Sequence, residues 1–388
     1  MATQYRIRER EYGERLAQAQ VLLRETDLDA LLVNSNEADF ASVRYFSDYW
    51  PIFETAGVLI PREGEATLLF GPESETFARD RSRIARIRKM MEYRESSDPA
   101  YPGIEVSTFP QVFREIGVPA PRKIGIAGYL VTTLPVADSL RTAFPDASLV
   151  RADHIMMALR QVKSEAEVAC LREAFRIAEV AVDCVLKSIR PGMTELQVVG
   201  IVQRIIYEHG AESEGMPQYV LSGRKTNQAI SRPTHKVMQK GELVQLNLSA
   251  RVDGYSSGVG RPLCLGKMSG HMRELVEFGK LAHERTFGCL RAGVSASAVA
   301  ADYRRFFIDS GRGGNYLYGP CHGLGMMECE PPWMEEGKDY PLAAGMTFQI
   351  DTFVQDADLG LRWENGSLIT TDSAELFSNR HMEILELG

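Results

Sequence analysis

The sequence has no C-x-x-C pair, no long apolar run and no excess of basic charge. Its six cysteines, Cys170, Cys184, Cys264, Cys289, Cys321 and Cys329, are scattered along 388 residues. That scatter excludes a clustered thiolate metal site and a dense disulfide framework, and it fits reduced thiols in a cytoplasm. No window approaches the roughly 18 uninterrupted apolar residues of a membrane span, and the opening MATQYRIREREYGERL lacks the apolar h-region of a signal peptide. With a formal net charge of −8, the chain is not expected to take nucleic acid or a membrane surface as its partner, because phosphate binding needs clustered Lys and Arg. Short basic runs such as RDRSRIARIRK, Arg79 to Lys89, read as a solvated helix face.

What is present describes a globular chain with more residues than one core usually supports, so two domains are expected. A helical spacing of apolar residues from Glu11 to Arg24 precedes LDALLVNS (Leu28 to Ser35), which reads as a buried strand. Further apolar runs, TAGVLIP, EATLLFGP and KIGIAGYL, alternate with helically spaced segments, the pattern of an α/β domain. Near residue 155 the texture turns helical for some fifty residues, broken at the RPG of Arg190 to Gly192. Ser164 with Glu167, and Thr194 with Gln197, each fit a capping box, in which two side chains satisfy the free N–H groups of a helix start. The expected division is residues 1–158 and 159–388.

The second domain repeats itself. RPGMTELQVV starts at Arg190 and RAGVSASAVA at Arg291, and Gly210 and Gly311 share the same offset of 101 residues. Two halves related by a pseudo-twofold follow, with a site expected where strands from both copies converge.

Polar residues interrupt the apolar strands of this domain at five places: Asn247 in VQLNLS, the YSSGVGRP strand, PCHGLGMMECEPP with His322, MTFQIDTFV with Asp351, and GLRWENGSLIT with Glu364. A lone buried acid is costly unless it is paired or bound, so three such strands suggest one shared polar centre.

With these segments in order, the chain resembles the pita-bread family of creatinase, prolidase, aminopeptidase P and methionine aminopeptidase. The matching segments are SVRYFSDYW, LRQVKSEAEV, KGELVQLNLSARVDGYSSGVGRPL, CHGLGMMECEPP, AAGMTFQID and LRWENGSLIT. The resemblance implies an α/β (α+β) fold, with a small N-terminal α/β domain before a pita-bread domain. Metal-dependent relatives hold two divalent ions with Asp, Asp, His, Glu and Glu. Those positions fall here at Asn247, Gly258, His322, Asp351 and Glu364, and the second histidine of the peptidases falls at Cys329. Gly258 supplies no ligand and Asn247 only a neutral amide, so a dinuclear site is not expected. In the metal-free creatinase branch the catalytic histidine and glutamate would fall at Ile230 and Gly260, so this chain departs from that branch too.

Three readings stay open. The first, favoured at this point, is a metal-independent, creatinase-like hydrolase of a C–N bond in a small amide, amidine or cyclic nitrogen compound, with no cofactor. His322, Glu364, Asp351, Glu328 and Cys329 would be its catalytic residues. Histidine titrates near working pH, and two acids in one pocket push one pKa up. The second is a one-metal hydrolase, Xaa-Pro peptidase-like, or a lyase, with His322, Asp351 and Glu364 holding Mn²⁺, Zn²⁺ or Fe²⁺. The third is a binding module without catalysis. Substrate contacts are expected from Asn247, Tyr255, Arg261, His235 and Arg362. The resemblance adds Trp50, Phe53 and Glu54, from the N-terminal domain of a homodimeric partner closing the pocket.

Overall fold

The computed structural model describes residues 5–388. The chain divides into two compact units, Ile7–Arg160 and Gln161–Gly388, with Tyr5 and Arg6 belonging to the second.

The N-terminal unit is built on a six-stranded mixed sheet. Its strands are β1 (Ala30–Ser35), β2 (Ala56–Pro61), β3 (Thr67–Phe70), β4 (Arg86–Lys89), β5 (Lys123–Ala127) and β6 (Ser148–Arg151), in the order β4-β3-β2-β1-β5-β6. The central strands are buried on both faces, which is why they read as continuous apolar runs rather than alternating ones. Leu32, Leu59, Leu69 and Ile126 pack there with Phe109, Val112, Phe113 and Leu140 from the helices. The basic run is not one helix face. It ends the helix Glu75–Arg81 and then forms the edge strand β4. Its cations are paired, Arg79 and Lys89 with Glu75, Arg86 with Glu65, Arg88 with Glu115. A charged edge of this kind discourages strand addition.

In the second unit the helices Glu165–Ser188 and Glu195–Glu208 are followed by Gly270–Cys289 and Ala296–Asp309. The second and fourth of these start and stop 101 residues apart, the offset of the sequence repeat. Both capping boxes form: Ser164 and Glu167 bond reciprocally at 3.2 and 2.7 Å, as do Thr194 and Gln197 at 3.1 and 2.9 Å. Strands β7 (Tyr219–Ser222), β8 (Leu243–Leu248), β9 (Arg251–Val252), β10 (Tyr255–Ser256) and β11 (Val259–Cys264) belong to the first half. Strands β12 (Cys321–Gly323), β13 (Glu330–Trp333), β14 (Thr347–Gln355) and β15 (Gly360–Ile369) belong to the second.

The large sheet runs β13-β12-β14-β15-β11-β8-β7, so the halves meet where β11 lies beside β15. Between β9 and β10, Asp253 and Gly254 both take positive φ, 47° and 90°, the geometry of a two-residue type I′ hairpin, which Asp-Gly favours.

Candidate active site

Successive side chains of a strand point to opposite faces, so residues two apart share one. Gln245 with Asn247 on β8, Gln349 with Asp351 on β14, and Arg362 with Glu364 on β15 are therefore same-face pairs. The strand register aligns them into a row: Asn247 sits opposite Gly260, Gly260 opposite Glu364, and Glu364 opposite Asp351. His322 on β12 lies opposite Gln349. The site thus occupies the seam between the two halves. At its centre a Cβ added to Gly260 would lie 2.5 Å from the Cβ of Glu364, so the two strands close on each other only because residue 260 has no side chain.

His322, Glu328 and Glu364 come together, with one ligand-capable atom from each lying within 4.8 Å of the others, and all three are buried. The His322 ring is oriented by the neighbouring backbone: Nδ1 donates to the Gly323 carbonyl at 3.0 Å, which leaves Nε2 facing the cluster. Nε2 stands 3.9 Å from Glu328 Oε1. Asn247 Nδ2 donates to Glu364 Oε2, and Gln245 donates to Asn247 Oδ1 at 2.7 Å, fixing the amide.

Burial pushes the Glu364 carboxyl well above its ordinary range, and the neighbouring Glu328 and Asp351 push it further. Glu328 is raised to about 7, chiefly by burial. Two acids in one dry pocket cannot both ionise without a cation nearby. At His322 burial opposes the charged ring, but Cys329 and Asp351 favour it more, and the balance lies at about 9.

Asp351 is turned to other partners. The Tyr318 hydroxyl donates to its Oδ2 at 2.8 Å. Arg362 Nε lies 2.7 Å from its Oδ1, an ion pair whose N–H is not aligned for a hydrogen bond. Arg362 Nη2 also donates to the Tyr318 oxygen at 2.6 Å. Around this triangle stand Phe353, stacked on Tyr318, and Trp333, edge-on to Tyr318 and 5.0 Å from the His322 ring. Tyr318, Gln349 and Trp333 were not singled out from sequence. The signal for Gln349 was available, since it stands two residues before Asp351 and must share its face.

Several expected substrate contacts are committed elsewhere. The Tyr255 hydroxyl is buried and donates to Glu167 Oε1 at 2.5 Å, securing the acid of a capping box. Arg261 is fully buried and straps backbone, donating to the carbonyls of Gly260, Glu364 and Arg380 at 2.7 to 2.9 Å. Burial pulls its pKa down to about 10. Glu54 is buried within the N-terminal unit, where its carboxylate accepts from the backbone of Glu73 and from Ser74. Trp50 packs edge-on against Phe77 with the Arg44 guanidinium 4.0 Å from its ring. Phe53 and His235 are exposed; Cys329, a catalytic candidate, is also exposed but lies beside His322. Ile230, the creatinase histidine position, is 88% exposed.

The donor set fits a divalent ion. One imidazole nitrogen and two carboxylates are a common first shell, and the 3.9 Å between His322 Nε2 and Glu328 Oε1 exceeds by only a few tenths of an ångström the ~3.4 Å between two ligands of a tetrahedral ion with bonds of about 2.1 Å, so a small side-chain adjustment would close the shell. Glu328 Oε1 is buried with no hydrogen-bond partner among the described residues, as expected of an oxygen reserved for something else. A second ion does not fit, because position 258 offers no side chain and position 247 no charge.

The family model of metallopeptidase family M24 matches residues 169–371, and that of the creatinase/prolidase N-terminal domain matches residues 15–162. An Xaa-Pro dipeptidase of Pyrococcus furiosus is 23% identical over 374 residues, 96% of this chain and 99% of its own. An Xaa-Pro dipeptidase of Lactobacillus delbrueckii is 26% identical over 249 residues, 63% of this chain and 68% of its own. Among solved structures, the X-Pro aminopeptidase of Thermotoga maritima superposes with a TM-score of 0.82 at 22% identity, covering 97% of this chain and 99% of that one. A prolidase of Thermococcus sibiricus gives 0.84 at 21%, again over 97% and 99%.

These likenesses establish the pita-bread fold with its N-terminal domain. They also overturn the metal-independent, cofactor-free, non-peptidase reading, because the matching family is one of metallopeptidases and the full-length relative is named a dipeptidase. The departures at Asn247 and Gly258 are therefore departures within a metal-using family: the chain belongs to metallopeptidase family M24.

Proposed function

We propose that this protein is a one-metal hydrolase of the Xaa-Pro peptidase type, cleaving an amide bond in a small peptide or peptide-like substrate. The observation that carries the reading is the convergence of His322 Nε2 with buried carboxylates, the ring being held by the Gly323 carbonyl so that this nitrogen faces inward. His322 and Glu364 would hold the ion, with a further buried acid completing the set. When bound, a divalent ion polarises a carbonyl and acidifies a water molecule.

The chain's own residues do the positioning. Asn247, held by Gln245, donates to one oxygen of Glu364 and so fixes how that carboxylate is presented. Arg362, Asp351 and Tyr318 form a rigid polar wall beside the cluster, and Trp333 and Phe353 give it an apolar lining suited to a ring such as that of proline. The names of the relatives support a peptide substrate.

The same reading takes the protein as cytoplasmic and homodimeric. Free thiols at all six cysteines support the first, and sedimentation equilibrium tests the second. Among the described residues no helix is long and apolar enough to cross a membrane.

The test of the function is chelation followed by stepwise return of Mn²⁺ or Co²⁺, with hydrolysis of a panel of Xaa-Pro dipeptides as readout. Activity should vanish on chelation and return in full at one ion per chain. Hydrolysis indifferent to chelation would overturn the proposal.

A further inference from the structure

The missing ligand at position 258 and the surplus acid at position 328 occupy the same space. A Cβ built on Gly258 would lie 2.9 Å from Glu328 Oε1, 3.2 Å from Glu328 Cγ and 2.7 Å from Gln349 Nε2. A side chain at 258 and the present position of Glu328 therefore exclude each other. Gln349 Nε2 donates to the Gly258 carbonyl at 2.5 Å, which holds the backbone there and keeps the opening in place. Glu328 reaches this space from the irregular segment between β12 and β13, within the otherwise apolar stretch GLGMME.

The electrostatics point the same way. Glu328 and Glu364 are both buried and crowd one space with His322, and a divalent cation between them would let both carboxylates ionise there. Neither Asp351 Oδ1 nor Glu328 Oε1 has a hydrogen-bond partner among the described residues, but Asp351 Oδ1 lies 2.7 Å from the Arg362 guanidinium, whereas Glu328 Oε1 faces His322 Nε2 at 3.9 Å.

We propose that Glu328 replaces the carboxylate that position 258 lacks, so that a single divalent ion is held by His322 Nε2, Glu364 and Glu328, with Asp351 outside the ligand set. This rests on the one-metal reading above. It makes the site a relocated one: the ligand lost from the strand pair at 258 is supplied by the loop at 328.

The test is isothermal titration of Co²⁺ into the full-length protein, with elemental analysis after dialysis and the visible Co²⁺ spectrum as a second readout. Wild type should take up one ion. E328Q should bind it at least ~10-fold more weakly, since even loss of an outer-shell partner costs about that much, and its Co²⁺ bands should shift. D351N should keep one ion per chain. G258D/E328A should regain affinity lost in E328A, because the new side chain grows into the vacated space. If E328Q proves unfolded by circular dichroism, this exchange pair decides the matter. E328Q binding with wild-type affinity, D351N losing the ion, or no recovery in G258D/E328A would each overturn the relocation while leaving a one-metal enzyme standing. No uptake by wild type would remove both.

Discussion

Replacing Lys163 by methionine should destabilise the C-terminal unit and disturb its site together. Lys163 Nζ lies 3.0 Å from Glu330 Oε1, and the two side chains are 2% and 3% exposed. At an effective dielectric of about 20 this separation corresponds to ~5 kcal/mol of attraction, and removing one member of such a buried pair costs about 3–5 kcal/mol. Glu330 also accepts from the Met327 backbone N–H at 3.3 Å, so it anchors the segment that carries Glu328. Urea unfolding followed by tryptophan fluorescence reads the loss. Of the three tryptophans, Trp333 and Trp363 lie in this unit, and a W50F background removes the third. K163M should lose about 3–5 kcal/mol and bind Co²⁺ more weakly, whereas K163M/E330Q should recover part of the stability by removing the buried negative charge as well. A loss below about 1 kcal/mol, or a double variant no more stable than K163M, would show that the pair contributes like an exposed one.

Other side chains carry separable predictions. His283 is fully buried, and burial pulls its pKa from 6.5 to about 3. Its folded value lies below its unfolded value, so its contribution to stability is present above about pH 6.5 and is lost as pH falls toward 3, at up to ~1.4 kcal/mol per unit. H283Q should show a shallower decline of unfolding free energy between pH 6.5 and 4, and slopes parallel to wild type would refute the assignment. Y255F removes the hydroxyl that Glu167 accepts. It should cost about 1–3 kcal/mol while leaving kcat and KM unchanged, so a raised KM would return Tyr255 to the substrate pocket.

Much of the fold was legible because it depends on local rules. Buried strands such as Leu28–Ser35 read as continuous apolar runs, the two capping boxes were visible as Ser164-x-x-Glu167 and Thr194-x-x-Gln197, and the 101-residue offset foretold helices that repeat to the residue. The strand Arg86–Lys89 was not legible, since a charged edge strand has no apolar run to reveal it. Within the site, Asn247, His322 and Glu364 were found as polar interruptions of apolar strands. Their partners depend on register. Asp351 meets Arg362 diagonally, because Arg362 stands two residues before Glu364, the cross-strand neighbour of Asp351, and no spacing within either strand states that. Tyr255 and Arg261 misled for the same reason: their residue types suit a pocket, but Glu167 and three backbone carbonyls had already claimed them.

Glu328 shows why a position-by-position reading erred on the metal. Ligands on a strand obey a period of two and can be counted off a motif, so Gly258 registered as a loss. The segment between β12 and β13 has no period, and nothing in MMECE fixes which way its acid turns. Only the space beside Gly258 does that, and a glycine announces space without saying what fills it. The loss of a carboxylate at 258 is therefore an argument against metal only if the vacated volume stays empty of charge. Here it holds the carboxylate of Glu328, so under the proposed one-ion site Glu328 would compensate for Gly258, and Asn247 would cost the second ion alone.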